Sequence, residues 1–162
     1  MSSTNKHLPK LHQCLHDELT AMSSLTEVLK LEEGALIDGN VEKLNKLTIE
    51  KSKLIADIST LENERKICLE QQGYSSDAKG MQDYFAKYPS ETAATNDWAT
   101  LLQISEKAKE CNRTNGLLIN RQFVRNQSAL NALQQKSPAE SMYGPTGHST
   151  NNATSGRRVI AS

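Results

Sequence analysis

The stretch Leu36-Ile37-Asp38-Gly39-Asn40-Val41-Glu42-Lys43-Leu44 joins two long segments that have the apolar periodicity of amphipathic helices. Gly39 suits the left-handed conformation that ends a helix, and Asn40 is a favourable N-cap for the next one. Because the break between the two helices is only three residues long, they must be antiparallel neighbours. The stretch therefore predicts a helical hairpin about 45 to 50 Å long, at about 1.5 Å per residue.

Most of the remaining chain also has a helical pattern. Apolar residues recur at near-heptad spacing in three long segments, whereas 74–95 shows only a short apolar group before Pro89. The sequence thus predicts an all-α fold, in which a long antiparallel helical hairpin and a third long helix form an elongated coiled-coil-like bundle. The predicted helices cover about residues 8–37, 41–72, 77–87 and 96–135, within a helical domain of residues 1–136.

Four charged residues interrupt the two apolar seams of the predicted hairpin. Glu18 and Glu32 lie at the edge of the first seam, and Lys51 and Arg65 interrupt the second. Long basic side chains can lie along apolar surface while their charged ends stay in water. We expect this arrangement for Lys51 and Arg65.

The last part of the chain, residues 137–162, is rich in Ser, Thr, Asn, Gly and Pro. Such a segment cannot bury enough apolar surface to offset its ordering entropy, so we expect a disordered tail. Apolar residues inside such a tail are candidate contacts for a partner. They are Met142, Tyr143, Val159 and Ile160.

The overall composition argues against several classes of function. Nineteen basic and nineteen acidic residues give a formal net charge of zero, which disfavours nucleic-acid binding. No stretch approaches the roughly 18 apolar residues of a transmembrane helix, and the N-terminus lacks the apolar core of a secretory signal. The widely spaced Cys14, Cys68 and Cys111 indicate reduced thiols rather than a disulfide framework. We therefore expect a cytoplasmic protein without an integral membrane segment.

Patterns for covalent chemistry are weak in this sequence. His12 and His16 have the spacing that places two imidazoles on one helix face for zinc, but Gln13 follows the first histidine where a metalloprotease has Glu. Surface histidines are the favoured interpretation, and a metal-dependent helical enzyme is the weakest alternative. We expect no enzymatic activity, no cofactor and no metal.

The third long helix is unusually polar, because Asn112, Asn115 and Asn126 lie on or close to its apolar face. Two interpretations stay open. Polar residues within a seam can fix the register between helices, as buried Asn does in coiled coils. Alternatively, the face is left free to bind a helix of a partner.

Four stretches, in order along almost the whole chain, resemble one known family. They are the Gly39-Asn40 turn with Val41-Glu42-Lys43-Leu44 and Glu50-Lys51, the run Leu61-Glu62-Asn63-Glu64-Arg65 before Gly73-Tyr74, the run Asn112-Arg113-Thr114-Asn115-Gly116-Leu117-Leu118-Ile119 with Asn126 and residues 130–133, and Tyr143-Gly144-Pro145-Thr146-Gly147. The chain resembles the FlgN-type flagellar export chaperones, which are small cytoplasmic bacterial proteins of the type III secretion machinery.

The resemblance implies a chaperone for hook-associated proteins. Such a protein would hold their terminal amphipathic segments, prevent premature assembly and deliver them to the type III export apparatus. The export gate is one implied docking partner, with Tyr143 as the candidate contact, and the export ATPase complex is a second candidate. From polarity and position we assign the cargo surface to the third-helix face. Its residues are Asn112, Asn115, Ile119, Phe123, Asn126, Leu130 and Leu133.

The main alternative is a structural coiled-coil protein whose seams pair with further copies of itself. It would form a stable multiple of the 17.9 kDa chain. The sequence leaves open whether the chain forms a homodimer, which is compatible with both functions.

Overall fold

The computed structural model describes residues 8–135, which form four helices and no strand. The helices are α1 (Leu8–Asp38), α2 (Val41–Gln71), α3 (Ala78–Lys87) and α4 (Thr92–Gln135). The predicted all-α fold, with a long hairpin and a third long helix, is confirmed. The predicted tail and its contacts Tyr143, Val159 and Ile160 lie outside the described residues. None of the helices in residues 8–135 is long and apolar enough to cross a membrane.

The chain divides into two compact units, Met1–Ile119 and Asn120–Ser162, which are described separately below. Within the first unit, the turn between α1 and α2 has the predicted geometry. Gly39 has a φ of 69°, in the left-handed region, and the side chain of Asn40 accepts a hydrogen bond of 3.0 Å from the backbone N–H of Lys43. The turn itself is formed by local backbone and capping hydrogen bonds.

The hairpin is held by three apolar clusters that follow one another along α1. The first also includes residues of α3 and α4, the second includes one residue of α4, and the third belongs to the hairpin alone. Their α1 and α2 members are Leu11, Leu15, Cys68 and Leu69 in the first, Leu25, Leu29 and Ile58 in the second, and Val28, Ala35 and Leu47 in the third. Burial of these side chains supplies the driving force for pairing, at about 25 cal/mol per Å² of apolar surface.

The four charged residues of the seams pair with one another across the hairpin. Arg65 Nε lies 2.6 Å from Glu18 Oε2, and both residues are buried. Lys51 Nζ lies 3.1 Å from Oε2 of the buried Glu32. The expectation that the charge of Arg65 reaches water is therefore wrong. Because Glu18 and Glu32 have the same sequence separation as Lys51 and Arg65, one antiparallel register satisfies both pairs.

The short helix α3 begins at a locally built turn. Asp77 caps it by accepting hydrogen bonds from the backbone N–H of Gly80 at 2.9 Å and from the hydroxyl of Ser75 at 2.6 Å. A Cβ atom on Gly80 would collide with the carbonyl oxygen of Ser75, so this turn requires glycine. Gly80 weakens the helical pattern in the sequence, but it is the residue that allows the turn at the start of α3 to form.

Helix α4 runs parallel to α1 in the first unit, because His16 faces Asp97 and Leu29 faces Asn115. It begins at Thr92, earlier than the predicted start at about residue 96. The reason is that Ala93 and Ala94, which precede the predicted cap at Asn96 or Asp97, are themselves strong helix formers. The buried residues of α4 are Ala94, Leu101, Ala108 and Asn115, one in each heptad. This seam is narrow and leaves the flanking positions of α4 more accessible.

Replacement of Arg65 by Ala is expected to lower the free energy of unfolding by about 3 to 5 kcal/mol, because it leaves the Glu18 carboxylate buried without its partner. Urea unfolding followed by circular dichroism measures the change. Lys66→Ala is the matched control, since Lys66 belongs to an exposed pair with Glu62 and should cost less than about 1 kcal/mol. Equal losses in the two variants would contradict a structural role for the buried pair.

Candidate functional site

A groove of about 570 Å³ opens in the first unit between α2 and α4, with α1 beneath it. Its base is apolar and comes from α1 and from the buried line of α4. The base residues are Met22, Leu25, Leu29, Leu101 and Ala108, and residues 76–78, which lead into α3, also contact the groove. The narrow seam of α4 explains the groove, because few of its side chains fill the space beside the hairpin.

The α4 wall of the groove has the spacing of a coiled-coil seam. Steps of four and three residues alternate along Trp98, Leu102, Ser105, Lys109 and Asn112. On the opposite wall Ile55 of α2 is 49% exposed, and Leu102 is 46% exposed. No described residue covers these two apolar side chains, so the groove presents apolar surface from both walls.

Arg65 contributes to the groove without leaving a free charge there. Its guanidinium makes two hydrogen bonds to the Glu18 carboxylate, Nε to Oε2 at 2.6 Å and Nη2 to Oε1 at 3.3 Å. The same guanidinium lies 4.9 Å from the ring centroid of Trp98. The pair thus neutralises a buried cation and supports the aromatic side chain on the α4 wall.

The other basic residues of the lining also have acidic partners. Each ammonium nitrogen lies within ion-pair distance of one glutamate. The pairs are Lys51 with Glu32 at 3.1 Å, Lys66 with Glu62 at 2.7 Å, and Lys109 with Glu106 at 3.4 Å. The groove is therefore a largely apolar surface whose basic charges are balanced locally.

Asn115 lies in the interior of the first unit rather than on a surface. It is fully buried, and its Nδ2 donates a hydrogen bond of 2.9 Å to the carbonyl oxygen of Leu29 in α1. The Oδ1 atom is buried without a hydrogen-bond partner. For this residue the structure corrects the assignment to an exposed cargo face, because its amide fixes the register of α4 against α1. Asn112, one turn earlier, is exposed and lines the groove.

The described part of the second unit is the helical segment 120–135. Phe123, Leu130 and Leu133 are 65%, 55% and 63% exposed, and Asn126 between them is exposed as well. The spacing of these four residues alternates between three and four, as in a coiled-coil seam. Ile119, in the first unit, is also more than half exposed. No described residue covers this apolar face of the segment 120–135.

The two histidines with zinc-like spacing have separate partners. His12 Nε2 lies 2.8 Å from the hydroxyl oxygen of the fully buried Tyr84, and His16 Nδ1 lies 3.2 Å from Asp97 Oδ2. His12 is therefore a packing residue between α1 and α3, not a solvated one. Burial raises the pKa of the Tyr84 hydroxyl well above its usual range. Within residues 8–135, no group of three His, Cys, Asp or Glu side chains could hold a metal ion.

Two of the three cysteines are buried in the hairpin. Cys14 is shielded from solvent beside Glu64, and Cys68 belongs to the first apolar cluster. Desolvation, together with the proximity of Cys68 and Glu64, raises the pKa of the Cys14 thiol to about 11. A thiol that stays protonated at neutral pH is a poor nucleophile and a poor metal ligand.

Some of these features were missed by reasoning from sequence. The groove was not predicted, although the alternating spacing from Trp98 to Asn112 is visible in the sequence and could have indicated a second seam on α4. The equal separation within the acidic and the basic pair could likewise have predicted the ion pairs. The burial of the Asn115 side chain has no comparable signal in the sequence, because it depends on how closely α4 approaches α1.

Comparison with known proteins gives one consistent result. The family model described as "FlgN protein" matches residues 1–151. The chain is 25% identical over 154 residues to "Flagella synthesis protein FlgN" of Proteus mirabilis, covering 94% of this chain and 98% of the relative. It is 26% identical to the proteins of the same name from Yersinia enterocolitica (93% and 96% covered) and Salmonella typhimurium (94% and 99% covered). No solved structure gives a significant match.

The buried thiols give a prediction about chemical reactivity. With iodoacetamide at pH 8, the native protein should be labelled first at the partly exposed Cys111, while Cys14 and Cys68 react only after unfolding. Mass spectrometry of peptides measures the order of labelling. Rapid native labelling of Cys14 would contradict its burial.

The raised pKa of Cys14 also predicts a dependence of stability on pH. Because the folded state favours the protonated thiol, its contribution is complete below the ordinary thiol pKa of about 9.0 and is lost as pH rises to about 11. Between these values the melting temperature of the native chain should fall more than that of a Cys14→Ala variant. Parallel melting curves would contradict the shift.

Proposed function

Because this chain belongs to the FlgN family, we propose that it is a flagellar export chaperone. Its cargo is the hook-associated proteins, whose terminal amphipathic segments it covers in the cytoplasm. Covering these segments prevents premature assembly, and the loaded complex then delivers the cargo to the type III export apparatus. The relatives are each named as a flagella synthesis protein, which supports the flagellar setting.

The observation that carries the proposal is the exposed apolar face of the segment 120–135. Three large side chains, Phe123, Leu130 and Leu133, stand at coiled-coil spacing on a helix whose partner is not among the described residues. An amphipathic segment of a cargo can bury its apolar stripe against such a face. Asn126, between Phe123 and Leu130 on the same face, is a polar seam position that can fix the register between this helix and the cargo segment.

The proposed mechanism is reversible covering of a hydrophobic segment. A cargo segment that becomes ordered on binding loses conformational entropy, so the affinity stays moderate and release at the export gate remains feasible. Apart from Asn115, which is buried, the cargo residues assigned from the sequence are exposed. Phe123, Asn126, Leu130 and Leu133 belong to the second unit, and Asn112 and Ile119 belong to the first.

The same exposed face supports a second candidate, a coiled-coil scaffold built from copies of this chain. An Asn at a seam position favours two-stranded pairing, which a homodimer would satisfy. The two candidates predict different effects of added cargo. If the chain is a chaperone, cargo displaces any second copy bound to the exposed face. If it is a scaffold, the oligomer keeps its mass, a multiple of 17.9 kDa, in the presence of cargo.

Replacing Phe123 and Leu130 together by Asp should weaken binding of a hook-associated protein's C-terminal segment at least tenfold. The reason is that two charges would then face the apolar stripe of the cargo. A tenfold loss corresponds to about 1.4 kcal/mol. Isothermal titration calorimetry measures the affinity, and size exclusion reports the mass of the complex.

Ser128→Asp is the matched control for this experiment, because Ser128 is exposed on the same segment but outside the apolar row. Both altered side chains of the double variant are also exposed, so the helicity measured by circular dichroism should be unchanged. Full affinity in the double variant would remove the segment 120–135 from the cargo site.

Tyr143 is proposed as the contact with the export gate. Tyr143→Ala should leave cargo binding and helicity unchanged while reducing secretion of hook-associated proteins and swimming motility. Secretion assays on culture supernatants measure the effect, with Tyr143→Phe as a control that keeps the aromatic ring. Normal secretion by the Ala variant would remove Tyr143 from the docking site.

A further inference from the structure

We propose that the groove between α2 and α4 of the first unit receives a second helix, contributed by the export cargo. The occupant is an amphipathic helix of about four turns with an uncharged apolar stripe. The inference rests on the proposed function for the identity of the partner. It adds a binding site in the first unit, made of other residues than the exposed face of residues 120–135.

The length of the groove matches a helix. Its α2 wall extends from Lys51 to Lys66 and its α4 wall from Trp98 to Asn112. At about 1.5 Å per residue, both walls are about 20 Å long, which corresponds to about four helical turns. A compact small molecule would occupy only part of such a groove, whereas a helix would contact both walls along its length.

The spacing of the walls also fits a helical occupant. Alternating steps of four and three residues on α4 create the holes into which side chains of a neighbouring helix insert. Leu25 and Leu29 of α1 belong to the apolar base of the groove. They would contact the side chains of the incoming helix that reach deepest into it. Three helices thus surround the position of a fourth, as in a four-helix bundle.

The charges of the lining restrict the chemistry of the occupant. Arg65 is already bound to Glu18, and Lys51, Lys66 and Lys109 each lie beside a glutamate. A charge on the buried side of an incoming helix would therefore lose water without gaining an unpaired partner. Leu, Ile, Val and Ala on that side of the occupant avoid this cost, while its outer face can be polar.

A second copy of this chain is a poorer occupant than a cargo helix. Two copies paired groove against groove would leave both concave surfaces unfilled. Reciprocal insertion of a helix by each copy would close as a dimer and would show itself as association of the peptide-free chain. One-way insertion into the groove of the next copy is heterologous, and each added copy would still offer an empty groove. Such a contact leads to open-ended chains, whereas a cargo helix ends the assembly after one step.

The test uses the full chain and a synthetic C-terminal segment of a hook-associated protein that contains no tryptophan. Ile55→Asp and Leu102→Asp should each weaken binding of this peptide at least tenfold. The side chains of Ile55 and Leu102 are about half exposed, so neither variant should lose helicity. The controls Ala56→Asp and Gln103→Asp introduce the same charge at the next, exposed residue outside the groove and should bind normally.

Trp98 supplies an independent readout, since it is the single tryptophan of the chain and lines the groove. Occupation of the groove should shift its emission to shorter wavelength and reduce quenching by acrylamide. Peptide binding with full affinity to Ile55→Asp and Leu102→Asp, and with unchanged Trp98 emission, would overturn this inference. If the Phe123 and Leu130 double variant then fails to bind, the chaperone function stands.

Two other results would also overturn the inference, and they differ from each other. Absence of any peptide binding to the native chain would remove the proposed function together with the groove site. A peptide-free chain that associates with rising concentration, and is made monomeric by Leu102→Asp, would show that the groove holds a second copy.

Discussion

The buried ion pair between Glu18 and Arg65 is the contact on which much of the structure depends. Two charges removed from water are tolerable only when they meet in good geometry, and here the guanidinium makes two hydrogen bonds to the carboxylate. A shift of the hairpin by one helical turn would separate them, which fixes the alignment of α1 with α2. The guanidinium also supports Trp98, so the same pair helps to position the α4 wall of the groove.

The narrow attachment of α4 links this architecture to binding. In the first unit α4 places one residue per heptad in the interior, and two of these four residues are alanines. Small side chains bury little surface. The residues of α4 on either side of this buried line therefore remain accessible to other helices. One row lines the groove, and in the second unit a row of large apolar residues is exposed. A chaperone for helical segments needs apolar helix faces that its own fold does not cover.

Much of the fold could be predicted from local signals, but the candidate site could be predicted only in part. Gly39 and Asn40 specify the hairpin turn through their own backbone and capping preferences. The sequence places Arg65 on the seam of α2 but does not predict the burial of its charge, because its partner Glu18 lies in another helix. Asn115 shows the same problem, since its burial depends on the approach of α4 to α1. The groove depends on the distance between α2 and α4, which no single segment encodes.

The thin seam of α4 has a consequence for how the first unit opens. Proteins unfold locally in cooperative units, and a unit with few buried apolar side chains opens at a lower free energy than the whole fold. The hairpin has its own turn, one apolar cluster made only of α1 and α2 residues, and two ion pairs between α1 and α2. The other two clusters also include residues of α4. Backbone amides of α4 should therefore exchange with solvent deuterium sooner than those of α1 and α2. If α4 opens before the hairpin, an incoming helix can widen the groove at a smaller free-energy cost than opening of the hairpin would require.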